Sequence, residues 1–392
     1  MSIIVTGADG YVGWPTALRI AKRTDQRVLG VDNLARRGWV EKMGGTSATP
    51  VAPVEDRFTA AGEVLGLQNL SFVEGDLTER SFVDELFDVH EPETVVHTAA
   101  QISKPYSEIN GERANYTQHN NMQATRNLLF SLHEGDLDDT HFIETTTTGI
   151  YGAPEFPIPE GGAVMENQGE RDEVPFPAMA GSWYHLTKCH DAANLRLAHK
   201  QFGLPVSDVR TAIVYGAGTE ETRADDRLCT RLDFDFYFGT VPNRFCAQAV
   251  AGYPTTVYGK GEQRKPFVNL EDAVEGLARL ALGEPDDRPE PHTVYNQVTR
   301  AISIVEIAET IAKVGGEYDL DVSVEHFENP REEDETHQME IENERYDSLI
   351  GGQSVDLKTG VRGVLDAMTE RADVVAAHED RFLPGVLEDR GD

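Results

Sequence analysis

The sequence predicts an α/β protein, a doubly wound parallel sheet joined to a smaller C-terminal α/β part. Three observations carry this. Short apolar runs, IIV at 3–5, VLGV at 28–31 and TVVH at 94–97, alternate with segments whose apolar residues recur at helical spacing, the signature of parallel strands joined by crossover helices. The first run leads into TGADGYVGWP, residues 6–15, with glycines at 7, 10 and 13, and the second ends on an acid, Asp32. The chain of 392 residues has ample material for one large or two coupled cores.

Taken in order, Gly7 would allow the tight turn after the first strand. Gly10 would let backbone approach a ligand, and Gly13 would let the following helix pack closely. Such a turn at a helix N-terminus cradles a dinucleotide pyrophosphate. An acid about 20 residues on supplies the confirming context. Asp32 would accept both ribose hydroxyls and repel a 2′-phosphate, which favours NAD over NADP, with Arg36 and Arg37 softening the preference. Tyr11, Asn33 and Arg36 complete this end of the expected cofactor site. The stretch from there to about residue 69 reads as irregular.

LSFVEGD is the third strand, with Asp76 and Leu77 facing the adenine end. SFVDELFDVHE reads as a helix. TVVHTAA is the fourth strand, opening on Ala99, Ala100 and Gln101, where small residues let a cofactor lie flat. A long helix runs from Glu112 to His133 and carries Asn121 in YTQHNN; HFIETTTT is the fifth strand. SWYHLTKCHDAANLRLAHKQFG is the next helix and LPVSDVRTAIVYG a further strand. Residues 1–215 are therefore expected to form the cofactor domain and 216–392 a substrate domain. The division is not contiguous, because a helix and strand within about 266–297 look like elements returning to the first sheet.

Lys and Arg number 35 against 68 Asp and Glu, a formal charge of −33 spread along the chain. That excludes electrostatic partnership with nucleic acid or anionic lipid and fits a solvated acidic surface in a high-salt cytoplasm, so a halophilic source is expected. Three cysteines, at 189, 229 and 246, show no metal-ligand spacing and are expected as reduced thiols. No apolar run approaches the roughly 18 residues needed to span a bilayer. The expectation is a soluble cytoplasmic protein without export, membrane or metal.

The chemistry lies in Tyr184 and Lys188, four apart and therefore on one helical face. The ammonium, with a positive nicotinamide ring, would depress the phenol pKa toward neutrality and make it a base for a sugar hydroxyl. Thr147, at the end of the fifth strand, would hydrogen-bond the same oxygen. A tyrosine and lysine at this spacing are common alone. In order behind a glycine turn, an acid and a strand-end threonine, they are not.

This set resembles the extended short-chain dehydrogenase/reductase family, the nucleotide-sugar epimerases and dehydratases with a Rossmann-type sheet. GADGYVGWPTALRI, VDNLARR, YTQHNN, SWYHLTKCHD, YFGTVPNRF, TVYGKGEQ and NPREEDETH are most similar to the branch that makes a sulfonated nucleotide sugar, and they span nearly the whole chain. The resemblance implies bound NAD and UDP-glucose, oxidation at C4, loss of water across C5 and C6, addition of sulfite at C6, and reduction at C4. It implies Tyr184 as base, Lys188 as its tuning cation and ribose ligand, Thr147 as polariser of the C4 oxygen, and His185 as acid/base at C5 and C6. Gln101 would touch cofactor and sugar, while Asn243, Arg244, Gln263 and Arg331 would hold uracil and diphosphate. It further implies a homodimer through the long helices at 112–133 and 182–202. Three positions depart from the branch: Ile102 after Gln101 and Lys265 stand where arginine is expected, and Ile150 stands where glutamate is. Lys104 is the expected replacement for the missing charge at Ile102. A UDP-sugar 4-epimerase and a non-catalytic NAD-binding regulator remain as other readings of the same fold.

Overall fold

The structure, a computed structural model, describes residues 2–176, 179–283, 292–327, 338–352 and 354–383. Five strands open the chain: β1 (Ser2–Thr6), β2 (Arg27–Asp32), β3 (Leu70–Glu74), β4 (Pro92–His97) and β5 (His141–Thr147). A hairpin follows, β6 (Gly162–Asn167) and β7 (Glu170–Pro175). Then come β8 (Val206–Thr211), β9 (Ile213–Tyr215), β10 (Thr255–Tyr258), β11 (Arg264–Asn269), β12 (His292–Gln297), β13 (Arg300–Ser303) and β14 (Val324–Phe327).

Seven of these form one sheet in the order β12-β8-β5-β4-β1-β2-β3, with every pairing parallel. Such a sheet is stable only when both faces are covered, so β1 and β2 carry continuous apolar runs whose successive residues go to opposite faces. Ile3, Val5 and Val28 pack with Trp14, Leu18 and Leu277 on one face, under the helices Gly13–Arg23 and Leu270–Ala281. Ile4, Leu29 and Val31 pack with Leu86, Leu128 and Leu195 on the other, under Arg80–His90, Gly111–Glu134 and Trp183–Phe202. Strand order reverses beside β1, where β2 leaves to one side and β4 to the other. A crevice at the strand C-termini opens at such a point.

The remaining strands build smaller sheets: β11 lies between β9 and β13, and β10 pairs with β14. Helices Val241–Ala251, Ile304–Gly315 and Leu357–Thr369 pack around Phe245, Phe267, Ile307, Val361 and Leu365 there. The helix at 270–281 and β12 do return to the large sheet. β11 does not, and neither does β9. The strand read as continuous over 204–216 breaks at Ala212, whose N–H still donates to Gln297 O at 3.0 Å before the chain departs. The stretch expected to be irregular contains two helices, Ala35–Lys42 and Val54–Leu65, and the β6–β7 hairpin was not anticipated. Among the described residues no helix is long and apolar enough to cross a membrane.

Candidate active site

The glycine turn is made of backbone. Gly7 has φ +76°, and its N–H donates to Val31 O at 2.8 Å, while Gly10 N–H donates to Gly7 O at 2.9 Å. A Cβ on Gly13 would fall on the Gly7 carbonyl, and one on Gly7 would meet the backbone of Ala99. A side chain at either position would fill the turn, so the residues present fit a pyrophosphate laid against the helix N-terminus. At the end of β2, Asp32 accepts from the N–H groups of Asp9, at 2.9 Å, and Leu34, at 2.7 Å. Burial pushes its carboxyl up to about 6, against the pull of those donors. Asp76 accepts from Thr78 N–H at 2.8 Å and from Asn33 Nδ2 at 3.2 Å, with Leu77 buried beside it.

Arg36, expected at the ribose, is engaged elsewhere. It donates to Asp233 at 2.7 Å and lies 4.2 Å from the Phe238 ring centre. Asp9, inside the turn and unnoticed in the sequence, receives Arg37 at 2.7 Å and the buried Arg57 at 2.6 Å. Asp233 likewise receives Arg231, at 3.0 Å.

The loop after β4 is held by Asn121. Its Oδ1 accepts from Gln101 N–H at 2.8 Å, and its Nδ2 donates to Gln101 O and Thr187 Oγ1, both at 3.0 Å. YTQHNN thus ties the loop to the helix of Tyr184. Gln101 Nε2 is buried without a protein partner.

Thr147 ends β5, and its Oγ1 accepts from Gly149 N–H at 3.2 Å. Ser182 caps the helix Trp183–Phe202 by accepting from His185 N–H at 3.0 Å, which fixes the first turn and with it Tyr184. A Cβ on Gly149 would collide with the His185 ring, so His185 and the Thr147 turn pack together. The Tyr184 and His185 ring centres lie 5.3 Å apart. Lys188 is buried and pairs with Glu144 at 3.1 Å and Asp191 at 3.2 Å. Both carboxyls escaped sequence reasoning.

They also act on the phenol. Burial raises the Tyr184 phenol above its ordinary value; Lys188 opposes the rise, while Asp191 and Glu144 add to it.

On the far side of the crevice, Asn243 is buried. Its Oδ1 accepts from Gly216 N–H at 3.2 Å, and its Nδ2 lies 3.4 Å from the Tyr11 hydroxyl, which itself donates to Gly216 O at 2.5 Å. Asn243 and Tyr11 therefore stitch the glycine turn to the second half of the chain. The Arg244 guanidinium lies 5.8 Å from the Phe236 ring centre, and Gln263 Oε1 is buried without a protein partner. Arg331 lies outside the described residues. Ile102 is exposed at 43 %, and Lys104 opens the short helix Lys104–Ser107.

A seven-stranded parallel sheet with a glycine turn at β1 and a Tyr-x-x-x-Lys helix beside β5 defines a dinucleotide-dependent α/β enzyme class. The chain belongs to the NAD dependent epimerase/dehydratase family, whose profile matches residues 3–296. Among curated relatives, the UDP-sulfoquinovose synthase of Sulfolobus acidocaldarius is 40% identical over 350 residues, covering 89% of this chain and 88% of that protein. The chloroplastic UDP-sulfoquinovose synthase of Spinacia oleracea is 39% identical over 335 residues, covering 86% of this chain and 68% of that one. Among solved structures, the UDP-glucuronic acid 4-epimerase of Bacillus cereus, in complex with UDP-glucuronic acid and NAD, superimposes with a TM-score of 0.69 at 21% identity. It covers 95% of this chain and all of that one, and it supports the fold.

Proposed function

We propose that this chain is a UDP-sulfoquinovose synthase, converting UDP-glucose and sulfite to a sulfonated UDP-sugar. The observation that carries the reading is the identity of about two residues in five, along nearly the whole chain, with two proteins of that name. NAD, held by Gly7, Gly10, Gly13 and Asp32, supplies the hydride acceptor and donor for sugar C4. Tyr184 takes the proton of the 4-hydroxyl and returns it, Thr147 polarises the C4 oxygen, and Lys188 holds positive charge beneath the phenol. A ketone at C4 acidifies the C5 proton. His185, packed on the Thr147 turn, moves that proton and assists departure of the 6-hydroxyl, leaving a conjugated acceptor that sulfite attacks at C6.

Arg244, Gln263 and Arg331 hold uracil and diphosphate, and Asn243 supports that side by fixing Gly216. With Ile102 in the loop, Lys104 supplies the positive charge that draws sulfite in. The large sheet is the cofactor half and the smaller sheets are the substrate half. The acidic surface suits a salt-rich cytoplasm, and the long helices Gly111–Glu134 and Trp183–Phe202 pair two copies into a dimer.

Protein purified in high salt and given UDP-glucose and sulfite should yield, by mass spectrometry, a nucleotide sugar heavier by the sulfonate in place of the hydroxyl. UDP-galactose as the sole product would replace this reading with a 4-epimerase, and no product from any UDP-sugar would leave a binding protein.

A further inference from the structure

Beneath the catalytic helix lies a charge imbalance that the reaction scheme does not use. Glu144, in β5 three residues before Thr147, and Asp191, one turn after Lys188, are both fully buried. They face a single cation, Lys188 Nζ, at 3.1 and 3.2 Å. Thr125 Oγ1, from the neighbouring helix, donates to Glu144 Oε1 at 3.3 Å, while Glu144 Oε2 has no donor other than what a second carboxyl could offer.

Among the described residues, the other elements packed on this pocket bring no unpaired positive charge. His97, from β4, is held between Thr6 Oγ1 at 2.7 Å and Thr125 Oγ1 at 3.5 Å, and burial first, then Lys188, keep its ring neutral. Asp208, opposite Glu144 on β8, is taken by Arg210 at 3.0 Å and by the Thr146 hydroxyl. Tyr184 is the remaining titratable neighbour.

Two ionised carboxylates in a dry pocket against one ammonium would leave a buried charge uncompensated, which costs several kcal/mol. One proton shared between them removes it. We propose that Glu144 and Asp191 hold one proton in common and act as positioning residues for Lys188, so that Tyr184 always sees one lysine charge and one carboxylate charge. Burial, then Asp191, raises the Glu144 carboxyl well above the usual range, and burial also raises that of Asp191. Because loss of either carboxyl leaves the other to give up the shared proton and ionise against Lys188, the environment of the phenol is buffered against loss of either one.

The test uses holoenzyme of the full chain and the variants E144Q, D191N and the double variant. Infrared spectroscopy of the wild type should show the C=O band of a protonated carboxylic acid, and both single variants should lack it, since the surviving carboxyl then ionises against Lys188. Persistence of the band in D191N, or its absence from the wild type, would overturn the proposal. The second arm rests on Tyr184 being the base: the acidic limb of the kcat/KM profile should stay within a few tenths of a pH unit in each single variant. In the double variant, where Lys188 is unopposed, it should move about 1 to 3 units lower. Shifts in the single variants that sum to that of the double would mean two independent charges, and no shift in the double would mean a merely structural pair. The infrared arm needs no turnover, so it decides the shared proton even if the double variant fails to fold or Tyr184 proves not to be the base.

Discussion

The two ends of the cofactor crevice solve burial of charge in opposite ways. Beside the glycine turn two buried carboxylates have two guanidinium groups each: Asp9 has Arg37 and Arg57, and Asp233 has Arg36 and Arg231. At the catalytic end two carboxyls share one ammonium, that of Lys188. Arginine keeps its charge at any working pH, so the paired clusters of the first end are fixed charges with no proton to move between their members. On the proposed sharing, the second has one proton more than its ion pairs require, and it lies by the phenol proposed to take and return one. Binding and proton chemistry have been given to separate electrostatic designs.

The sharpest way to break this comparison is at Tyr184. Replacing it by Phe should lower turnover by about 10²- to 10⁴-fold, the range for loss of a general base. NAD should stay bound, as read by its release on denaturation. Loss of the dinucleotide together with activity would show that the two ends are not separable.

A smaller effect is expected at Asp9. Asp9→Asn strands Arg57, which is 1% exposed, and should cost about 3 to 5 kcal/mol of stability in urea unfolding. The corresponding loss in Glu144→Gln should be below about 1 kcal/mol, because glutamine has the shape and neutrality of the protonated acid. Equal losses would remove the distinction.

The smallest effect concerns Asp32, whose carboxyl burial has pushed up to about 6. A ribose hydroxyl needs the ionised form as acceptor. NAD affinity measured by calorimetry on stripped protein should be flat above pH 7 and fall as pH drops through 6, by at most about tenfold per unit. A flat profile down to pH 5 would place the ribose elsewhere.

What could be read from the sequence was what local chemistry writes into it. The glycine turn, Asp32 and the Tyr184–Lys188 pair each need only neighbours a few residues away, and the helices carrying the site announce their starts, Asn110 and Ser182 each accepting from a first-turn N–H. The helices Ala35–Lys42 and Val54–Leu65 begin at Leu34, with left-handed backbone, and at Pro53, and neither start has a capping side-chain bond. The second carries terminal signals, Glu55 and Asp56 in its first turn and the left-handed Gly66 after its last. Glu144 was hidden among the threonines of the fifth strand, and its meaning appears only when β5 is laid beside the helix of Lys188. Tyr11 and Asn243 lie 232 positions apart, so their meeting could not be inferred from spacing.

That meeting has a mechanical consequence. The tyrosine of the phosphate turn has its hydroxyl on Gly216, and Trp14, one residue past the third glycine, donates its indole N–H to Leu228 O at 2.7 Å. The glycine turn is thus tied at two points to the segment that follows β9. Loosening one loosens the other. On the proposed reaction, which restores its own oxidant within every cycle, such bracing is no hindrance: the dinucleotide can serve as a permanent fitting rather than a visitor.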